Sequence, residues 1–158
     1  MVNSMDQGKR LEKNVKESLP GIIRLYDTTN GYAGIKNPCD FIYYNYPFQY
    51  LIECKSVAET TLYFSAITEN QHEQLDYYDH IFGVTSIVLV EFRKVKKCFA
   101  IPYKVIKELN KSGEKGIYYD SISNLKNVYE VPAVYKRVNM RIDESGFKVI
   151  LGKVAMSV

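Results

Sequence analysis

Two short apolar segments of this chain carry charged side chains at positions where a buried strand usually has none. The stretch NPCDFIYYNYPFQYLIECKS, residues 37–56, is rich in strand-forming residues on both sides of Pro47. It predicts a β-hairpin with strands over residues 40–46 and 49–57. Asp40, Glu53 and Lys55 lie inside these strands. Because charged groups are seldom buried without a partner, we expect the three to face one another or a ligand.

The hairpin predicts a cluster of two carboxylates and one ammonium. Side chains alternate along a strand, so Glu53 and Lys55 point to one face while Ile52 and Cys54 point to the other. Folding at the turn brings Asp40 opposite Glu53 and Lys55. Two adjacent carboxylates repel unless a proton or a cation lies between them, and oxygen ligands that leave room for water suit Mg²⁺ or Mn²⁺. The spacing leaves a second interpretation open, a salt-bridge cluster on the solvent face of the hairpin.

The other elements predict an α/β or α+β fold with a mixed central sheet flanked by helices. A Ser4/Gln7 capping box opens a helix over residues 4–19, which Pro20 and Gly21 end. Further helices are predicted at 68–82 and 103–110. Strands are predicted at 21–27, 86–92, 128–131 and 147–151, with residues 96–101 pairing beside the 86–92 strand, while 28–39 is read as a loop. The apolar run 86–92 is typical of a central strand covered on both faces.

Length and composition predict one soluble domain, residues 1–158. Hydrophobic residues make up 46% of the chain and charged residues 25%, as in ordinary globular proteins. No apolar run approaches the roughly 18 residues of a membrane span, and the N-terminus lacks the apolar core of a signal peptide, so we expect a cytoplasmic protein with no membrane partner. Cys39, Cys54 and Cys98 have no CxxC spacing and are expected to be buried hydrophobes.

Charge is distributed unevenly along the chain. Residues 1–91 hold 7 Lys and Arg against 12 Asp and Glu, whereas residues 92–158 hold 14 against 6. The net charges are therefore −5 and +8. An acidic part suited to a cation is followed by a basic part suited to a polyanion, although solvated faces of different sign would give the same totals.

The pattern Asp40-x12-Glu53-Cys54-Lys55 resembles the signature of the PD-(D/E)xK nuclease superfamily. Residues 51–75, LIECKSVAETTLYFSAITENQHEQL, are similar to the RecU-type Holliday-junction resolvase segment, in which an ExK strand leads through a Thr/Ser-rich connection and an apolar patch to a helix carrying a Gln. Gly8-x-x-Leu11-Glu12 also resembles that family's first helix, whose glutamate lies near the metal site. The resemblance covers residues 8 to about 90 and implies a restriction-endonuclease-like fold.

The resemblance implies a Mg²⁺-dependent endonuclease, with Mn²⁺ as a substitute, acting on branched DNA. Asp40 and Glu53 would hold the metal, and Lys55 would activate or orient the attacking water. Hydrolysis would leave 5′-phosphate and 3′-hydroxyl ends. Because symmetric nicking of a two-fold junction needs two sites, we expect a homodimer.

Two more residues are candidates for the catalytic site. Glu12 lies in the apolar stripe of the first helix, where a metal or cationic partner would relieve the cost of its charge. Gly8 lies on the same face and predicts a close backbone approach. Gln71 shares a helical stripe with Leu75, Tyr78 and Phe82 and is expected to point to the sheet. Its alternative role is structural, because Thr68-x-x-Gln71 is itself a capping box.

The sequence departs from the family pattern at two places. RecU proteins carry a long basic stalk between early strands, whereas only the loop 28–39 is available here, and Cys39 stands where the family commonly has Thr. Two alternatives therefore stay open. One is a restriction-like, flap or single-strand nuclease of the same fold. The other is a non-catalytic DNA- or partner-binding module that uses the basic residues 93–141.

For most of the remaining polar and aromatic candidates, a structural role is at least as well supported by the sequence as a functional one. His72 and His80 are expected to be exposed on their helix. The lysine-rich run 93–97, with Lys104, Lys107 and Lys111, suits phosphate contacts or solvated surface equally. The tyrosines 118, 119, 129 and 135 suit strand and core positions better than a platform for stacked bases.

Overall fold

A six-stranded mixed sheet organises the chain in the computed structural model, which describes residues 4–26 and 36–157. The helices are α1 (Ser4–Ser18), α2 (Glu69–Asp79), α3 (Tyr103–Lys111), α4 (Tyr119–Ile122) and α5 (Glu144–Met156). The strands are β1 (Ile23–Arg24), β2 (Phe41–Asn45), β3 (Phe48–Val57), β4 (Thr61–Tyr63), β5 (Val84–Phe92), β6 (Lys97–Pro102), β7 (Gly116–Tyr118), β8 (Tyr129–Glu130), β9 (Ala133–Lys136) and β10 (Asn139–Ile142). A short 3-10 helix, Phe64–Ala66, precedes α2.

The central sheet has the order β1-β2-β3-β5-β6-β8. Its β3 and β5 strands run parallel, and its other neighbouring pairs are antiparallel. The strands β9 and β10 form a separate hairpin, and β4 pairs with β7. The predicted α/β class with a mixed central sheet and flanking helices is confirmed, as is the β2–β3 hairpin with its turn at Pro47.

Hydrophobic cores cover both faces of the sheet and hold β3 and β5 in place. On one face α1 and α5 pack through Leu11, Val15 and Leu151. On the other face Leu75 of α2 and Ile106 of α3 pack against the sheet. Burying each such aliphatic side chain contributes about 1.5–3 kcal/mol. The strands that position Asp40, Glu53 and Lys55 are therefore held between two packed layers.

Several predicted elements differ in extent or type. Residues 147–151 were predicted as a strand but lie within α5, because Asp143 caps a helix whose buried positions recur at helical spacing. The strand predicted over 21–27 is reduced to β1, and Asp27 lies outside the described residues, as does most of the predicted loop, 28–35. The helix α2 ends at Asp79, so Phe82 lies beyond it and is fully exposed rather than facing the sheet.

Two predictions about α1 can be compared with the structure. The helix begins at Ser4 and ends at Ser18, close to the predicted bounds. The close backbone approach expected at Gly8 is wrong, because a Cβ atom built there meets no atom within 4 Å.

No helix in the described parts of the chain is long and apolar enough to cross a bilayer. The division into one domain stays a prediction.

Candidate active site

Asp40 lies directly before β2 and is held by two contacts with β3. Its backbone N–H donates to the carbonyl of Ile52 over 3.1 Å, and its Oδ2 accepts from the backbone N–H of Cys54 over 2.8 Å. The register pairs Phe41 with Ile52, so Asp40 lies opposite Glu53. The carboxylate of Asp40 is thereby fixed against β3, the strand that carries Glu53 and Lys55.

Glu53 is a buried carboxyl group, with 3% of its surface exposed. Its Oε1 accepts from Gln71 Nε2 over 2.7 Å and lies 3.5 Å from Lys55 Nζ. Burial and, after it, the nearby carboxylate of Asp40 raise the pKa of Glu53 to about 8, against the opposing effect of Lys55. Without an added cation, Glu53 therefore holds a proton at neutral pH, and a cation shared with Asp40 would displace that proton.

Gln71 belongs to the capping box and to the carboxylate cluster at once. Its Oε1 accepts from the backbone N–H of Thr68 over 3.0 Å and from Lys55 Nζ over 3.1 Å. The Thr68 hydroxyl in turn accepts from the backbone N–H of Gln71 over 3.2 Å. The predicted capping box is confirmed, and it fixes the amide so that its nitrogen faces Glu53. The two alternative roles of Gln71 are compatible.

Arg24 is a member of the cluster that the sequence did not predict. Its Nη2 lies 2.6 Å from Glu12 Oε2, and its Nη1 lies 3.2 Å from Asp40 Oδ1. The guanidinium also lies 5.1 Å from the ring centre of Phe41. Arg24 thus joins the carboxylate from α1 to the carboxylate from β2. The cationic partner expected for Glu12 is this guanidinium.

The sequence contains one signal that points to Arg24. It is the single charged residue between Ile22 and Tyr26, in a segment that was predicted as a strand. Pairing of β1 with β2 sets Arg24 beside Phe41, next to Asp40. Asp40 can be identified as a partner of Arg24 only once the pairing of β1 with β2 is known. The sequence between these two strands has no pattern that predicts this pairing.

The five predicted site residues converge, and their chemistry fits a hard divalent cation held by few protein ligands. Asp40 and Glu53 offer carboxylate oxygens, and Mg²⁺ in proteins commonly keeps several waters beside one or two carboxylates. Within residues 4–26 and 36–157, no three His, Cys, Asp or Glu side chains form a cluster that could hold a metal by themselves. The donor set therefore fits a water-rich Mg²⁺ or Mn²⁺ site and does not fit a closed structural metal site.

A cleft of about 410 Å³ adjoins this cluster along α1. Glu12 and Arg24 form part of its wall together with Tyr26, and lysines 9, 13 and 16 line the rest with Glu17. The cleft brings positive charge next to the carboxylates. A phosphate-bearing ligand in it would contact Glu12 and Arg24, at the border of the carboxylate cluster.

The other polar candidates have structural contacts. His72 was predicted to be exposed, but its Nδ1 lies 3.0 Å from Tyr103 Oη and its Nε2 lies 3.0 Å from the carbonyl oxygen of Phe64, so it joins α2 to its neighbours. His80 is exposed, as predicted. Lys107 pairs with Asp76 over 2.8 Å. The three cysteines are buried and free, as predicted.

The predicted tyrosines also have mainly structural contacts. Tyr119 packs against Phe92 and Phe99. Tyr135 donates a hydrogen bond to Glu91, and Tyr129 lies beneath Lys153. Tyr129 and Tyr135 occupy strand positions, as predicted, whereas Tyr119 begins α4 and Tyr118 is exposed at the end of β7.

Comparisons with known proteins identify one family. The family model described as RecU, Recombination protein U, matches residues 13–142. That range includes Arg24, Asp40, Glu53 and Gln71 and begins one residue after Glu12. Among solved structures, the chain resembles Hjc, a Holliday junction resolvase from Archaeoglobus fulgidus, with a TM-score of 0.49 and 19% identity over 73% of this chain and 88% of that one. Comparison with curated proteins gave no match.

Proposed function

The chain belongs to the RecU family of Holliday-junction resolvases, and from that membership we propose that it is a divalent-metal-dependent endonuclease that cuts four-way DNA junctions. The observation that carries the proposal is the convergence of Asp40, Glu53 and Lys55 at one edge of the sheet. Glu53 is too deeply buried to ionise easily beside Asp40, so a cation between the two carboxylates would remove a large electrostatic cost.

We assign the metal to Asp40 and Glu53. When bound, Mg²⁺ or Mn²⁺ supplies a Lewis acid for the phosphate and lowers the pKa of a bound water. The buried position of Glu53 restricts its carboxylate, and the hydrogen bond from Gln71 Nε2 to Glu53 Oε1 orients it. The backbone N–H of Cys54 fixes Asp40 in the same way. These contacts prepare the two ligands before a substrate arrives.

Lys55 is the group that would act on the nucleophile. Its Nζ is held by Gln71 Oε1 over 3.1 Å and lies beside Glu53, so the ammonium stays at the metal edge. In that position it orients the attacking water and offsets the charge that develops on the phosphate. Arg24 bridges the carboxylates of Glu12 and Asp40 and adds a second positive charge to that of Lys55. The products would carry 5′-phosphate and 3′-hydroxyl ends.

A homodimer is part of the proposal, because two symmetric nicks need two sites. The basic cleft beside Glu12 and Arg24 supports branched DNA as the partner. Sedimentation of the protein with and without a four-way junction would test the stoichiometry. Two chains per junction are expected, and one chain per junction would contradict the dimer. We also expect a cytoplasmic location.

The short connection between β1 and β2 favours a second candidate substrate. It spans only residues 25–40, of which 27–35 lie outside the described residues, and it leaves little room for the family's stalk. Without a stalk, the same chemistry would act on duplex, flapped or single-stranded DNA. This alternative changes the substrate and leaves the assigned residues unchanged.

One experiment tests both candidates. A labelled four-way junction and its component duplex are incubated with Mg²⁺ and wild type, Lys55→Ala or Lys126→Ala, the last removing an exposed lysine as a control. Paired nicks in the junction alone, lost only in Lys55→Ala, are expected. Equal cutting of both substrates would support the second candidate. No cutting with Mg²⁺ or Mn²⁺ would contradict the nuclease and favour a binding module.

A further inference from the structure

A second cationic site lies beside the end of β5, the strand that neighbours β3 on the side away from β2. Four basic side chains surround a cavity of about 200 Å³, and we call this site the basic pocket. They are Arg10, Arg93, Lys96 and Arg137. The cavity also contacts one carboxylate, Glu91. The pocket therefore carries a formal excess of positive charge and suits an anionic ligand.

The carboxylate of Glu91 is satisfied by hydroxyl groups rather than by the cations. Only 7% of Glu91 is exposed. Its Oε1 accepts from Ser56 Oγ over 2.9 Å, and its Oε2 accepts from Tyr135 Oη over 2.8 Å. Arg93 Nη1 donates to the same Ser56 hydroxyl over 2.8 Å. This chain of hydrogen bonds orients Arg93 without neutralising it.

The four cations have no anionic partner within the described parts of the chain. No carboxylate oxygen there forms an ion pair with any of them, whereas Arg24 has two ion pairs and Lys107 and Arg141 have one each. Arg10 donates only to the neutral side chain of Gln7, over 3.3 Å. Four positive charges beside the single carboxylate of Glu91 leave the pocket with an excess of positive charge that an anion would offset.

Two of the cations occupy backbone positions that disfavour their residue type. Lys96 has φ = 52° in the β5–β6 turn, and Arg137 has φ = 59° in the β9–β10 turn. Such left-handed positions favour Gly, Asn or Asp, because other side chains crowd the backbone there. Asn127, with φ = 65°, is the remaining non-glycine residue of this kind in the described ranges. Turn geometry alone therefore does not account for a lysine and an arginine at these two positions.

The basic pocket and the catalytic site share two elements. Ser56, which bonds to Arg93, directly follows Lys55 on β3, and Arg10 precedes Glu12 by two residues on α1. These steps correspond to about 3 Å along each element. Because β3 and β5 are parallel, their carboxyl ends lie at one edge of the sheet. Because Ser56 and Lys55 project from opposite faces of β3, a polyanion would contact both sites by passing round this edge of the sheet.

We propose that the basic pocket binds backbone phosphates of the DNA arm that leads to the catalytic site. The cations come from three separate elements, α1 and the turns after β5 and β9, which suits an extended polyanion better than a single small anion. The inference rests on the proposed function for the identity of the DNA. It adds a substrate-positioning surface that the metal chemistry does not require.

The test uses a variant that removes charge without straining the turns, Lys96→Asn/Arg137→Asn. Because Asn tolerates the left-handed conformation, we expect a thermal unfolding midpoint equal to or above that of wild type. Binding to an uncut four-way junction and to its duplex is measured in EDTA over a range of NaCl concentrations. The matched control, Lys111→Gln/Lys126→Gln, removes two exposed lysines that line no part of the pocket.

The expected result is weaker binding by the pocket variant, on the order of tenfold at 0.15 M salt, and a salt dependence shallower by about 1.8 in log K against log[NaCl]. Adding Arg10→Gln should reduce the slope by about 0.9 more. Affinity and slope equal to those of the control would overturn the proposal. Because binding is measured without metal, a wild type that binds but never cuts would contradict the nuclease and leave this result valid.

Discussion

The amide of Gln71 donates from Nε2 to Oε1 of Glu53 over 2.7 Å. The same amide accepts at Oε1 from the backbone N–H of the N-cap residue Thr68 and from Lys55 Nζ. A helix cap thus fixes the position of a buried carboxyl group. The stability of α2 and the geometry of the proposed metal site are joined in one side chain.

Separate substitutions distinguish the cap from the site. Thr68→Ala removes the capping hydroxyl and should cost about 1 kcal/mol of folding free energy while leaving junction cleavage near wild type. Gln71→Ala should cost a similar amount and also lower the cleavage rate roughly 10–100-fold, because Glu53 and Lys55 lose their common partner. Urea denaturation and single-turnover cleavage provide the two readouts. Equal cleavage by both variants would show that Gln71 only caps the helix.

Arg24 should make the protein less dependent on a bound metal for stability. Arg24→Ala leaves Glu12 and Asp40 without their guanidinium and is expected to lower stability by about 1–3 kcal/mol. Because Mg²⁺ would then supply the missing positive charge, its addition should raise the unfolding midpoint of the variant more than that of wild type. Glu12→Gln, which keeps Arg24 beside Asp40, serves as the comparison. An equal Mg²⁺ shift in wild type and Arg24→Ala would contradict this role.

Glu53 predicts a specific pH dependence of the metal-free protein. Burial, and then Asp40, raise the pKa of Glu53 from 4.5 to about 8, so the folded state holds a proton that the unfolded state loses. Stability should therefore fall as pH rises from about 4.5 to 8. Glu53→Gln removes this loss and should be more stable than wild type by roughly 2–4 kcal/mol at pH 8 in EDTA, with the gap closing toward pH 4.5.

Thermal unfolding across this pH range measures the effect. Glu108→Gln, at an exposed position on α3, is the control and should follow the wild-type curve. A gap between Glu53→Gln and wild type that stays constant from pH 4.5 to 8 would show that the carboxyl group does not titrate as described.

The cluster at the end of β3 could be predicted in part from sequence because its members follow local rules. Strand alternation and the hairpin turn were enough to set Asp40 beside Glu53, and helical spacing pointed Gln71 at the sheet. Arg24 could not be found in this way, because its contacts depend on β1 pairing with β2 across a segment without a pattern. Site roles for these residues stay predictions until they are tested.

The C-terminal third shows why local patterns can mislead. The run Phe147 to Leu151 has the apolar character of a strand, but Phe147, Ile150, Leu151 and Val154 are the buried residues of α5. Val149, in the middle of the run, is exposed. So short a run does not distinguish helix from strand, and the cap at Asp143 together with the helical spacing of the buried residues favours a helix.

Two glycines should respond in opposite ways to alanine. A Cβ at Gly116 would lie 2.6 Å from the carbonyl oxygen of Leu62, so Gly116→Ala should force β4 and β7 apart and cost about 1–3 kcal/mol. Gly8 lies within α1 with no atom near its Cβ position, so Gly8→Ala should stabilise the protein by about 0.5–1 kcal/mol. Urea denaturation tests both, and destabilisation by Gly8→Ala would indicate a close contact absent from this structure.

The assignment of a divalent cation to Asp40 and Glu53 is tested most directly by calorimetric titration of Mn²⁺ at pH 7 in two buffers of different ionisation enthalpy. Because Glu53 holds a proton before the metal binds, wild type should bind Mn²⁺ with release of about one proton. Asp40→Asn and Glu53→Gln should lose this binding, while Glu108→Gln should retain it. Absence of Mn²⁺ binding by wild type, or unchanged binding by both site variants, would contradict the assigned metal site.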